Sequence, residues 1–123
     1  MNIPYKPQTI RQTKELILAD EKHWQIPLMD FVDDFRRAKD VALVAEPFAI
    51  GHERWDALLA STVQQLCLEL KLEPPVWVHD IPACRDPWFV SGIDSLRAIT
   101  LVESPVAFRL RKIFVLGNFL SRA

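Results

Sequence analysis

The sequence predicts an all-α fold, and three observations carry that prediction. Apolar residues recur at three- and four-residue spacing over several stretches, the nine prolines fall at the ends of those stretches, and only three glycines (Gly51, Gly92, Gly117) are present. The expectation is a single compact helical domain over residues 1–123, of about five helices with a Pro/Trp-rich loop, preceded by an extended leader over 1–8. A chain of 123 residues can bury about two-thirds of its surface without disulfides or metal.

Each element has a local reason. Thr9 can cap a helix from about Ile10 to Lys22, with Ile10, Thr13 and Ile17 on one side. Pro27 suits a first helical position. Leu28, Phe31, Val32, Phe35 and Ala38 then form an apolar face opposite Asp30, Asp33, Asp34 and Arg37, which reads as a solvated charged face. Val41 to Ile50, broken by Glu46-Pro47, reads as an extended connection in preference to a strand. From His52 to Lys71 the set Trp55, Leu58, Leu59, Thr62, Val63, Leu66 and Leu70 keeps helical phase over five turns, with Glu53, Asp56, Gln64 and Glu69 on other faces; Pro74-Pro75 stops it.

Val76 to Val90 holds Trp77, Trp88 and Phe89 among Pro82 and Pro87, which fits a loop with one helical turn better than a ladder strand. Asp94 or Ser95 can cap a helix to Glu103 whose only polar residues are Arg97, Thr100 and Glu103, so it is expected nearly buried. Ser104 is expected as a cap with Pro105 at the first position of a helix through Arg111, covering a buried layer of Leu101, Phe108 and Leu110.

Composition narrows the function classes. A net charge of −1 argues against indiscriminate nucleic-acid binding, and no window reaches the roughly eighteen apolar residues that a membrane span needs. Two cysteines without zinc-like spacing point to reduced thiols, no cofactor or metal, and a cytoplasmic location. His52-Glu53 opens like a zinc-protease helix, but Asp56 stands where the second histidine is needed. Cys67 reads as a core residue, while Cys84 beside Arg85 is the thiol with the better prospect of reactivity. Asp30, Asp33 and Asp34 are close enough along a helix to share a cation, yet Arg36, Arg37 and Lys39 neutralise them. These readings describe a protein that is not an enzyme.

Charge is uneven, however. From Arg97 onward five bases (Arg97, Arg109, Arg111, Lys112, Arg122) face Glu103 alone, whereas residues 1–62 carry eight bases and ten acids. The expected partner-binding residues are the basic set Arg97, Arg109, Arg111 and Lys112 together with the aromatic loop Pro87, Trp88 and Phe89.

The segments Leu28-Met29-Asp30-Phe31-Val32-Asp33-Asp34-Phe35, Asp86-Pro87-Trp88-Phe89, Leu96-Arg97, Ser104-Pro105-Val106-Ala107-Phe108-Arg109-Leu110-Arg111-Lys112-Ile113-Phe114-Val115 and Leu120-Ser121-Arg122-Ala123 together resemble a family of small bacterial proteins. In that family a similar region often follows an XRE-type helix-turn-helix domain in antitoxin-like regulators, commonly encoded beside a nucleotidyltransferase-like toxin. The resemblance spans about residues 28–123, carries no catalytic residues, and departs from longer members in having no helix-turn-helix before residue 28, which counts against direct operator binding.

It implies a non-catalytic antitoxin-like interaction domain whose protein partner is a toxin encoded nearby. Two alternatives stand beside it. One is a nucleic-acid-binding accessory domain using the basic C-terminal face; the other is a small enzyme with a noncanonical site at His79, Asp80 and Cys84. A homodimer through an apolar face is also compatible with the composition.

Overall fold

The computed structural model describes residues 5–121. The fold is mostly helical: 58% of the described residues are helical when 3-10 turns are counted with the six α-helices, of which four have seven or more residues. Within it the contacts group into two compact units, one ending at Ala49 and one beginning at Ile50.

The first unit is built on α1 (Ile10–Ala19) packed against α2 (Gln25–Ala38). Thr9 and Gln12 form a reciprocal cap, the Thr9 hydroxyl accepting the Gln12 N–H at 3.1 Å and the Gln12 side chain accepting the Thr9 N–H at 3.0 Å. A tight 3-10 turn, Glu21–His23, leads into α2, which starts two residues before Pro27. The proline therefore sits within the first turn, where a missing N–H costs no helical bond. Ile10, Ile17, Leu28, Phe31, Val32 and Phe35 form the core, with the Phe31 and Phe35 rings stacked at 5.7 Å. The Val41 to Ile50 connection begins with a 3-10 turn, Val41–Val44, capped by the Asp40 carboxylate.

Asp34 corrects the expectation of a solvated acidic face. It is buried, it accepts the Tyr5 hydroxyl and the Gln8 N–H (2.8 Å), and it draws Arg37 to 3.7 Å. The segment from Tyr5 to Thr9 is thereby tied to α2, and the same hydrogen bond raises the Tyr5 pKa.

The second unit is organised around α3 (Glu53–Leu70), against which α4 (Val76–Asp80) and α6 (Val106–Arg109) pack. Every residue of α3 from Asp56 to Val63 is buried. Asp56, expected on an outer face, is among them because its carboxylate turns back to accept the N–H groups of Gly51 (2.9 Å) and His52 (3.0 Å), capping the helix. At the other end Lys71 adopts a left-handed conformation, φ 59°, before Pro74-Pro75.

The expected loop around Trp88 contains a strand. β1 (Trp88–Phe89) pairs in parallel with β2 (Ile113–Phe114), with Trp88 opposite Ile113 and Phe89 opposite Phe114. Pro82 and Pro87 lie outside the bonded pair, so no ladder donor is lost. Between the strands run a 3-10 turn (Asp94–Leu96), α5 (Arg97–Glu103) and α6. α6 starts after Pro105 with no side-chain cap, and Ser104 serves elsewhere, as described below.

Candidate interaction surface

Residues on α5 advance by about 100° each, so Arg97, Thr100, Glu103 and the following Ser104 share one side while Ala98, Ile99, Leu101 and Val102 share the other. The sequence predicts a helix buried on its apolar faces. The structure corrects it: Thr100 and Ser104 on the polar side are buried, Arg97 and Glu103 remain exposed, and the apolar side faces solvent. Thr100 is 1% exposed and Ser104 is buried, while Val102 is 78% exposed and Ile99 and Leu101 are also exposed.

This arrangement has a local cause. The chain that follows β2 brings backbone N–H groups against α5, and these require acceptors. The buried Ser104 hydroxyl accepts the Val115 N–H at 2.9 Å and lies within donating distance of the Thr100 and Val115 carbonyls. The Glu103 carboxylate accepts the Gly117 N–H at 3.0 Å, and a Cβ at position 117 would lie 3.4 Å from that same carboxylate oxygen. Thr100 donates to the Arg97 carbonyl at 2.8 Å. Ser104 thus holds α5 to the segment after β2 instead of capping α6. The expected buried layer is also corrected: Phe108 is fully buried, but Leu101 and Leu110 are exposed, and so are Ile93 and Val106.

The aromatic residues gather into two arginine-bearing clusters, reached from opposite sides of β1 because successive strand residues alternate. Trp88 meets Trp55 edge-on at 5.6 Å with the Arg54 guanidinium 5.4 Å from its ring. Phe89 stacks on Phe114 at 5.1 Å and carries Arg97 at 4.8 Å. Arg54 and Trp55 escape a sequence search for this site because they lie more than thirty residues upstream on α3.

Of the expected partner-binding residues, Pro87, Arg97, Arg109 and Lys112 are exposed and Trp88 and Phe89 are half-buried. Lys112 has a left-handed backbone, φ 60°, and its ammonium reaches the Arg85 carbonyl at 3.5 Å. Arg111 requires correction as a docking residue. It is buried and donates to the carbonyls of Val78 (2.7 Å), Ile81 (3.3 Å) and Ala107 (3.3 Å) and to the side chains of Gln64 (2.7 Å) and Ser61 (3.5 Å). Its guanidinium serves α3, the end of α4 and α6, and burial lowers its pKa.

The residues considered for catalysis do not form one cluster of exposed groups. His79 and Asp80 are exposed on α4, whereas Cys84 is buried. The Cys84 thiol is pushed up by burial and by Glu53, against the smaller opposing effects of Arg54 and Lys112, so a neighbouring cation does not activate it. Burial raises the Cys67 thiol to about 11. Glu53 accepts the Arg85 N–H at 2.7 Å. Among the described residues no group of three His, Cys, Asp or Glu side chains could hold a metal ion, and no helix is long and apolar enough to cross a membrane. Comparison with protein-family models, curated proteins and solved structures finds no match for this chain.

Proposed function

We propose that this chain is a non-catalytic, antitoxin-like interaction module that docks a protein partner on the apolar side of α5, extended by Val106 of α6 and Leu110 just after it. The observation that carries the reading is the exposed apolar side of α5. A helix held to the fold through Thr100 and the adjoining Ser104 leaves Ile99, Leu101 and Val102 as surface, and exposed apolar groups gathered on one element favour burial against a second macromolecule. The resemblance noted in the sequence supports a toxin-like protein encoded nearby as that partner.

Arg111 is used internally, which reduces the basic set, and the Trp88 and Phe89 rings are already in contact with arginines and other rings. Nucleic acid is therefore the weaker alternative, since single-strand recognition relies on available ring faces beside a basic groove.

Co-expression with the products of adjacent genes, followed by size-exclusion chromatography, tests the proposal. A stable heterocomplex that Val102→Asp abolishes, while the variant keeps its circular dichroism spectrum and melting temperature, is the expected result. A complex indifferent to Val102→Asp, a homodimer built on this face, or steep salt-dependent binding to labelled DNA or RNA without a protein partner overturns it.

A further inference from the structure

We draw no further inference here: the strongest candidate, the surface patch of exposed bases Arg54, Arg85 and Lys112 beside the Trp88 ring at the start of α3, shares that surface with the exposed acids Glu53 and Asp86, and nothing in the structure shows what covers it.

Discussion

Helices α3 and α5 have nearly the same apolar share, ten residues of eighteen and four of seven, yet the second unit treats them in opposite ways. α3 is enclosed so fully that Asp56, Ser61 and Thr62 are buried with its leucines. α5 buries only Thr100 and leaves Ile99, Leu101 and Val102 in water. Burial here follows what each neighbour supplies, not the hydrophobicity of the helix. α4 and α6 offer α3 apolar side chains, whereas the segment after β2 offers α5 the N–H groups of Val115 and Gly117, which need oxygen acceptors.

The largest effect is expected where α3 depends on a single cation. Arg111→Met leaves the Val78, Ile81 and Ala107 carbonyls and Gln64 without their donor, and should cost about 3–5 kcal/mol in urea unfolding. Next, Leu58→Ala in α3 should cost about 3 kcal/mol, while Val102→Ala in α5 should change stability by less than about 0.5 kcal/mol. Equal losses at the two positions would end the contrast between the helices. Ser104→Ala removes the acceptor of a buried N–H from the inward side of α5 and should cost about 2 kcal/mol, although the residue is small.

A smaller effect of opposite sign is expected at the end of α3. Lys71→Gly relieves a left-handed non-glycine residue and should stabilise by about 1 kcal/mol, read as a raised melting temperature. The smallest concerns pH. The Cys67 thiol titrates near 11 in the folded chain against an ordinary value of 9.0, so its contribution is complete below pH 9 and is lost as pH rises toward 11. Melting temperatures should therefore decline over that window, and Cys67→Ala should decline less.

Much of the framework is legible in the residues. Thr9 with Gln12 marks the start of α1, the seven-residue apolar set marks α3, and Pro74-Pro75 marks its end; each is a local signal, and each element lies where that signal places it. What is not legible depends on contacts between distant residues. The three-residue spacing of Arg97, Thr100 and Glu103 reveals a polar stripe on α5, but periodicity is the same whether a stripe faces in or out, and Val115 and Gly117 decide it. The β1–β2 pair joins residues 25 apart, and two-residue strands leave no alternation to read. Asp34, Asp56 and Arg111 resemble ordinary surface charges in sequence. Only the folded chain shows that backbone groups and Tyr5 claim the two carboxylates, and that three helices, α3, α4 and α6, claim the guanidinium.

Arg111 also sets an order of assembly during synthesis. The first unit is complete in sequence by residue 49, so it can fold while the ribosome is still translating the rest. The second unit must wait, because the bonds from Arg111 to Ser61, Gln64, Val78 and Ile81 close separations of 30 to 50 residues. A nascent chain that stalls before this arginine emerges displays α3 without its lid, which makes that interval the one in which chaperones have most to protect.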